Sequence, residues 1–309
     1  MTGQDAHGLI IWRLLDGKPG HENQSLGLSD ALSRQLPCTC YDISVKGRLT
    51  PLFYWLFAAY PPGSNLPAPD LIIGAGHQTH LHLLTARRAR GGKAIVLMRP
   101  SLPLSLFDLC LLPEHDGYRG NAPCMETRGV LNALQSAGRH VPHKALILIG
   151  GPSRHHGWDL QMLLQQIEQL VGDNPETGFL LTTSRRTPSE FVAEMRRRQP
   201  DNLEVVPVDE TGPGWVAGQL AERSTAWVTE DSVSMVYEAL TAGVAVGVLK
   251  MPAKGESRVS RGLRKLLNEG LVVPFDDRGD YRAQMQPVAD FNEADRCARW
   301  IAERWLSAG

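Results

Sequence analysis

The chain has 309 residues, of which 42% are hydrophobic and 21% are charged, and its formal net charge is −1. This length predicts about two domains with ordinary apolar cores, and the composition excludes a disordered chain. The near-neutral charge argues against a dedicated nucleic-acid-binding protein, because the chain lacks a strongly basic global field, so we expect no nucleic-acid partner.

Short apolar runs alternate with helical stretches along the whole chain. In the first half the pattern predicts strands at 9–15, 38–45, 71–74, 94–98 and 106–112, and helices at 22–36, 80–90 and 131–136. In the second half it predicts strands at 145–149, 179–183, 203–207, 226–229, 244–248 and 271–273, and helices at 158–171, 189–198, 215–223, 232–242, 258–268 and 293–306.

Runs such as DLIIG and ALILI are continuously apolar, which is typical of parallel strands covered on both faces. Strands that alternate with helices predict an α/β fold. Because the pattern restarts after the polar stretch at 138–143, we expect two Rossmann-like domains with mostly parallel sheets, facing each other across a cleft. The predicted domains are 1–140 and 141–290, with a final helix in 291–309 that packs back on the first domain through Trp300 and Trp305.

The segment PLFYWLFAAY at 51–60 is the most apolar of the chain. It has about half of the roughly 20 residues that a membrane-spanning helix needs, and the sequence MTGQDAHG resembles no signal peptide. We therefore expect a cytoplasmic protein. If 51–60 is a helix, its apolar side chains cover too much of the circumference to be buried together. This predicts an exposed patch for peripheral contact with the inner face of a membrane, and the alternative is a buried core helix.

Ligands in open α/β sheets bind beyond the carboxyl ends of the strands. The loop DGKPGHENQS at 16–25 follows the first predicted strand, and His21 there has a side chain suited to general-base catalysis. Its spacing does not match GxGxxG, so a dinucleotide site is not predicted. Two further predicted strands are followed by turns that contain Gly or Arg and that could contribute to the same site. The alternative interpretation of each is an ordinary surface turn without a binding role. The predicted acceptor-side residues are Lys18, Gly20, Gln24, Gly76, His77 and Arg99.

The second half offers residues that suit a nucleotide diphosphate. Backbone amides in a Gly-Gly turn can hold phosphate oxygens, and arginine contacts phosphate in a bidentate manner. Ser232 is the expected N-cap of a helix whose start would face the phosphates. Glu238, about two turns further, would accept hydrogen bonds from ribose hydroxyls. The alternative for Ser232 and Ser234 is that they only cap the helix. The alternative for the arginine-containing turn is an ordinary solvated loop. The predicted donor-binding residues are Gly150, Gly151, Ser153, Thr183, Ser184, Arg185, Ser232, Ser234 and Glu238.

Other chemistries lack their sequence signatures. The sequence contains no metal-ligand motif, no GxSxG elbow and no P-loop, so we expect a reaction without a metal or an organic cofactor. A sugar-nucleotide epimerase is a weaker option. It would need a dinucleotide fingerprint and a Tyr-x-x-x-Lys pair, whereas Tyr237 is followed four residues later by Thr241.

The motifs DGKPGHENQSLGL, IGGPSRHHGW, LLTTSRRTP, TEDSVSMVYEAL and GVLKMP together resemble the mitochondrial-fission family named for elongated mitochondria. That family has many bacterial members described as glycosyltransferases, and the resemblance covers nearly the whole chain. More distantly, the layout is similar to GT-B glycosyltransferases of the lipid-intermediate type that transfer N-acetylglucosamine. In those enzymes a Gly-rich loop ending in His opens the acceptor domain, as Gly20 and His21 do here.

The same resemblance implies donor-side roles. The turn Gly150-Gly151-Pro152-Ser153 matches the family's Gly-Gly-Ser turn with an inserted proline, and Ser232, Ser234 and Glu238 match a Ser-rich helix start followed by Glu. The first loop departs from the pattern at Lys18-Pro19, which puts the acceptor in doubt. The resemblance therefore implies transfer of a sugar from a nucleotide donor to a lipid-linked or envelope acceptor. A non-catalytic adaptor at a membrane is the alternative.

Overall fold

A computed structural model describes residues 8–47, 50–118, 120, 123–136, 139–198, 200–255, 258–276, 278–279 and 281–306. The chain divides into two compact units. The first unit comprises Met1–Ala133 and Asn292–Gly309, and the second comprises Leu134–Phe291.

The first unit contains a six-stranded sheet in the order β2-β1-β3-β4-β5-β6, and every neighbouring pair of strands is parallel. Its strands are β1 (Leu9–Leu15), β2 (Cys38–Ser44), β3 (Leu71–Ala75), β4 (Lys93–Leu97), β5 (Leu109–Pro113) and β6 (Cys124–Thr127). Its helices are α1 (Pro19–Gln35), α2 (Thr50–Leu56), α3 (Thr79–Arg90) and α10 (Glu293–Ile301), the last followed by a π-helical turn (Ala302–Leu306). Strands β3 and β5 are buried at every residue, as continuous apolar runs between two helical layers should be.

The second unit also contains a six-stranded sheet, with strand order β12-β11-β10-β7-β8-β9 and parallel pairing throughout. Its strands are β7 (Val141–Ile149), β8 (Gly178–Thr183), β9 (Leu203–Val206), β10 (Arg223–Thr229), β11 (Ala245–Leu249) and β12 (Val273–Pro274). Its helices are α4 (Leu160–Gly172), α5 (Ser189–Arg198), α6 (Trp215–Glu222), α7 (Val233–Thr241), α8 (Arg258–Asn268) and α9 (Tyr281–Gln284).

Helix α10 belongs to the first unit because its apolar face completes that unit's core. Ala294, Cys297, Ala298 and Ile301 are buried in one cluster with residues of α1 and the sheet, and Trp300 and Trp305 pack against it. Arg34, in the last turn of α1, also forms an ion pair with Asp295 of α10, with 2.5 Å between Nη2 and Oδ1.

The predicted helix at 131–136 is wrong, because these residues have no helical structure. Leu131 is buried against α1, and the carbonyl of Asn132 lies so close to Gly27 that an added Cβ there would be 2.1 Å from the oxygen. This close approach of two backbones fixes an irregular path for the chain where it leaves the first unit.

Helix α1 begins at Pro19, three residues earlier than the sequence pattern predicted. Proline suits the first helical position because it lacks the N–H that would be unsatisfied there. As a result Gly20 lies in the first helical turn and not in the preceding loop. The described residues contain no helix with the length and apolar character that a membrane span requires.

Candidate functional site

His21 lies in the first turn of α1, and a buried carboxylate holds its imidazole. Nδ1 of His21 lies 2.8 Å from Oδ2 of Asp16, which follows the end of β1. The Asp16 side chain is fully buried, whereas 23% of the His21 side chain is exposed. Because a carboxylate only accepts hydrogen bonds, Nδ1 donates to it and Nε2 becomes the basic atom of the ring.

Gly76 packs directly on this pair from the end of β3. It has a φ of +86°, and an added Cβ would lie 2.1 Å from Nδ1 of His21 and 2.8 Å from Oδ2 of Asp16. Only glycine fits this conformation at this distance. Asp16, His21 and Gly76 are called the His21 cluster below.

The other predicted acceptor-side residues of α1 lie around this cluster. Lys18 precedes the helix, and its Nζ is 4.0 Å from Oδ2 of Asp16. The amide of Gln24 is buried and donates to the carbonyl of Gly20 at 3.2 Å, and it contacts Sδ of Met98 at 3.5 Å. Met98 itself has a positive φ of 65°, which is an uncommon conformation for a non-glycine residue at a strand end.

A second set of imidazoles lies at the same edge of the first sheet. Oγ of Ser101 is 3.0 Å from Nδ1 of His77 and 3.3 Å from Nδ1 of His80. Burial lowers the pKa of His80 to about 4, with repulsion from His77 and His21 adding to the effect. His80 is therefore neutral at pH 7. Arg99 lies further out and donates from Nη1 to the carbonyl of Asp116 at 3.0 Å.

In the second unit, Arg186 joins three loops at the carboxyl edge of the sheet. Its Nη2 donates to Oδ2 of Asp231 at 2.8 Å and to Oγ of Ser232 at 3.1 Å. Its Nη1 donates to the carbonyl of Gly151 at 2.9 Å. The Asp231 side chain is fully buried, while 43% of the Arg186 side chain is exposed. Gly150, Gly151, Arg186, Asp231 and Ser232 are called the Arg186 cluster below.

The two glycine amides predicted to hold phosphate already donate within the protein. Gly151 donates to Oδ2 of Asp231 at 2.9 Å, and Gly150 donates to Oγ1 of Thr229 at 2.8 Å. An added Cβ on Gly150 would meet Oδ2 of Asp231 at 2.2 Å. A carboxylate therefore lies against the Gly-Gly turn where the sequence had suggested an anionic ligand.

The predicted serines of this edge also make local contacts. Ser153 accepts hydrogen bonds from the backbone amides of His155 and His156, at 3.2 and 3.0 Å. Ser232 occupies the N-cap position of α7, but its hydroxyl does not cap the helix. It instead contacts Asp231 and Arg186. Ser234 is exposed in the first turn of α7.

The remaining predicted donor residues differ in their exposure to solvent. Thr183 is buried and accepts from the amide of Val208 at 3.1 Å. Ser184 accepts from the amide of Arg186 at 3.2 Å, which sets the turn that carries the guanidinium. Arg185 is exposed on the same turn. Burial raises the pKa of Glu238 to about 7.

The site residues selected from the sequence do not include Asp16, Arg186 or Asp231. Asp16 had one available signal, because it is the acidic residue directly after an apolar strand and five residues before the candidate base. Arg186 had no signal that separated it from Arg185, because neighbouring residues of a tight turn point in different directions. The Asp231 side chain accepts from Arg186, and no local pattern indicates a contact between residues so far apart in the sequence.

Two Rossmann-like parallel sheets with polar clusters at their carboxyl edges place this protein in the GT-B-like class of α/β proteins, as the sequence predicted. The family model described as Mitochondrial fission ELM1 matches residues 19–305, and the chain belongs to that family. The chain is also similar to the Uncharacterized protein RP120 of Rickettsia prowazekii, at 22% identity over 85% of this chain and 92% of the relative.

Solved structures of sugar-nucleotide proteins share the fold. UDP-GlcNAc 2-epimerase from Methanocaldococcus jannaschii matches with a TM-score of 0.58 and 11% identity, covering 96% of this chain and all 100% of that one. UGT2 of Phytolacca americana, complexed with UDP-2fluoro-glucose and pterostilbene, matches with a TM-score of 0.53 and 11% identity, covering 96% of this chain and 89% of that one. At this identity the similarity establishes the fold.

Proposed function

We propose that this protein transfers a sugar from a nucleotide-activated donor to an acceptor hydroxyl, with His21 as the general base. The observation that carries the proposal is the Asp16–His21 pair, in which a buried carboxylate fixes Nδ1 as the donor and leaves Nε2 to accept a proton. The fold shared with sugar-nucleotide proteins supports the donor class.

In this proposal the acceptor hydroxyl gives its proton to Nε2 of His21. The acceptor oxygen forms a bond to the anomeric carbon of the donor sugar while the bond from that carbon to the phosphate oxygen breaks, and the nucleoside diphosphate leaves. We assign the acceptor to residues that come after β1, β3 or β4 in the chain, at the same edge of the sheet as the His21 cluster. They are Lys18, Gly20, Gln24, His77 and Arg99.

The second unit is assigned to the donor. Negative charge grows on the phosphate as the nucleotide leaves, and Arg186 together with the start of α7 would stabilise it without a metal ion. Arg185, Ser184 and Ser234 are assigned to the same phosphates, and Glu238 is assigned to the ribose hydroxyls. Transfer activity is expected to persist in EDTA, and its loss there with recovery on adding magnesium would contradict the metal-independent form of the proposal.

We further assign an acceptor of the cell-envelope type, met at the inner face of a membrane. The supporting observation is the exposed apolar surface of α2, which belongs to the same unit as His21. This part of the proposal assigns the protein to the cytoplasm, in peripheral contact with lipid.

The test is a thermal-shift screen against UDP, GDP, CMP and dTDP sugars. A donor at about 100 times its dissociation constant adds roughly 2.7 kcal/mol to the free energy of unfolding. The shift should shrink in Glu238→Ala and persist in His77→Ala, a matched change in the other unit. If no nucleotide sugar raises the melting temperature, the donor assignment is wrong.

A non-catalytic adaptor at a membrane is the second candidate, and the exposed α2 surface is the observation that favours it. The two candidates differ in what His21 contributes. An adaptor binds its membrane or partner equally well as wild type and as His21→Ala, and it releases no nucleoside diphosphate from any donor. A glycosyltransferase releases nucleoside diphosphate, and His21→Ala abolishes most of that release.

A further inference from the structure

Exposed apolar side chains concentrate on one short helix of the first unit. Among the described residues, seven large hydrophobic side chains are exposed, and five of them belong to α2 and the residue after it. Leu56 is 74% exposed, and Phe53 and Phe57 are each 63% exposed. We call the five residues the α2 patch: Leu52, Phe53, Trp55, Leu56 and Phe57.

The patch is held in place by the opposite side of α2, so its exposure is a property of the folded unit. Pro51 is buried, and its carbonyl accepts a hydrogen bond from Thr85 of α3 at 3.1 Å. Tyr54 packs into the core and meets Tyr60 edge-on, with ring centroids 6.3 Å apart. The rings of Phe53 and Phe57 lie 4.9 Å apart, which gives the outer face a continuous aromatic surface.

Positive charge accompanies the patch. The guanidinium of Arg88 lies over the Trp55 ring at 4.9 Å from its centroid, and both Arg88 and Lys46, which follows β2, are exposed. The sequence from 43 to 107 contains seven Lys and Arg residues and a single acidic residue, Asp70, although the whole chain has a net charge of −1. The part of the chain that carries α2 and α3 therefore has a local excess of positive charge.

We propose that the α2 patch is an interfacial anchor that binds the surface of an anionic phospholipid membrane. A seven-residue helix is about 10 Å long and is too short to span a bilayer. Aromatic and aliphatic side chains flanked by Lys and Arg suit the boundary between headgroups and acyl chains. Anionic lipid is the occupant that matches the charge, because a neutral apolar partner gains nothing from Lys46 and Arg88.

This inference deepens the proposed function, on which its catalytic meaning rests. Helix α3 starts at Thr79, directly after the Gly76 turn of the His21 cluster, and Arg88 is nine residues further, about 14 Å along the helix. A protein bound through α2 would hold His21 within about one helix length of the lipid headgroups. An acceptor anchored in that membrane would then meet the base at the surface.

The experiment measures binding of the full chain to vesicles by co-sedimentation, without any catalytic readout. Wild type should bind phosphatidylcholine vesicles that contain phosphatidylglycerol, bind pure phosphatidylcholine vesicles more weakly, and lose affinity as salt rises. The triple variant Phe53→Ser/Leu56→Ser/Phe57→Ser should bind at least about tenfold more weakly. The matched control is Leu106→Ser/Val141→Ser, which removes the other two exposed large hydrophobic side chains and should bind as wild type.

Charge and depth are tested separately. Lys46→Glu/Arg88→Glu should weaken binding to anionic vesicles at least about tenfold, since each cation contributes about fivefold near such a surface. Its matched control is Lys144→Glu/Arg278→Glu, two exposed cations of the second unit. Fluorescence quenching by brominated phosphatidylglycerol tests insertion of the patch without the triple variant, and it decides the matter if that variant folds poorly. The brominated lipid should quench part of the wild-type tryptophan fluorescence, and Trp55→Phe should remove that quenching while Trp215→Phe should not.

Two results would overturn the proposal. Wild type that stays in the supernatant with every vesicle composition shows that the patch does not bind lipid. A wild-type dimer that the triple variant converts to monomers, with no vesicle binding, assigns the patch to a second copy of the chain. A donor-induced thermal shift that survives either result leaves the proposed sugar transfer intact, so the two ideas fail independently.

Discussion

Each unit places a buried aspartate beside a basic side chain at the carboxyl edge of its sheet, but the two pairs use the carboxylate differently. Asp16 accepts from one nitrogen of His21 and leaves the other nitrogen as the basic atom. Asp231 accepts from Arg186 and from the Gly151 amide at the same oxygen, and Arg186 also donates to Ser232. The first carboxylate orients one ring, whereas the second holds three loops around a cation.

The difference follows from the chemistry of the two side chains, imidazole and guanidinium. A neutral imidazole can accept a proton, so orienting it prepares a proton transfer. Arginine stays charged at every physiological pH, so fixing it prepares a binding site for an anion. Removing His21 should therefore change a rate, and removing Arg186 should change an affinity. Four predictions follow, in order of expected size: those at His21 and Arg186 test this distinction, and those at Gly76 and Glu238 test the packing and burial of each unit's site residues.

His21→Ala should lower the turnover number by about 10²–10⁴-fold and leave the dissociation constant of the donor unchanged, because the lost proton transfer belongs to the transition state. Release of nucleoside diphosphate gives the rate, and calorimetry gives the affinity. His21→Asn separates the roles of the ring, since it can still hydrogen-bond Asp16 but cannot accept the proton. An enzyme fully active as His21→Ala, or mostly active as His21→Asn, would end the assignment of a base.

Gly76→Ala should destabilise the protein by about 2–4 kcal/mol, because the new Cβ would lie 2.1 Å from Nδ1 of His21 in a conformation with φ of +86°. Gly20→Ala is the matched control. It lies in the first turn of α1, and no atom lies within 4 Å of an added Cβ, so this change should be neutral or stabilising. Urea unfolding measures both. Equal stability of the two variants would show that Gly76 does not pack on the base as described.

Arg186→Ala should weaken donor binding about 10–100-fold, since hydrogen bonds to charged groups contribute about 1.5–3 kcal/mol. Arg185→Ala is the neighbouring control, and we expect it to weaken binding less because its side chain lies outside the Arg186 cluster. Calorimetric titration with the donor found in the thermal screen measures both. A larger loss in Arg185→Ala would reverse the order and return the phosphate contact to the residue chosen from the sequence.

The smallest effect is expected at Glu238, where burial raises the pKa from 4.5 to about 7. Between these values the folded protein keeps a proton on this carboxyl that the unfolded chain has released. The free energy of unfolding should therefore fall as pH rises through that window, by at most about 1.4 kcal/mol per pH unit. Glu238→Gln should remove this part of the pH dependence, and the exposed Glu176→Gln should keep it. An unchanged slope in Glu238→Gln would show that this carboxyl titrates normally.

Most of the fold could be predicted because its signals are local. The strands at 9–15 and 179–183 and the helix at 189–198 were found as apolar runs and periodic stretches, and the structure has β1, β8 and α5 there. Strand β6 was missed because its four residues, Cys124–Thr127, do not form a continuous apolar run. The helix predicted at 131–136 failed because backbone packing against Gly27, a contact between distant parts of the sequence, overrides local preference.

The sequence by itself determined where polar loops follow apolar strands, and hence which residue types gather at the carboxyl edge of each sheet. His21, Gly76 and Gly151 could be chosen on that basis. Only the tertiary structure decided that Gly76 packs on His21 across 55 positions of sequence and that Arg186 contacts Asp231 across 45. Parallel strands bring distant loops to one edge, and the register of the sheet sets which of their side chains touch. Composition and periodicity do not contain that register.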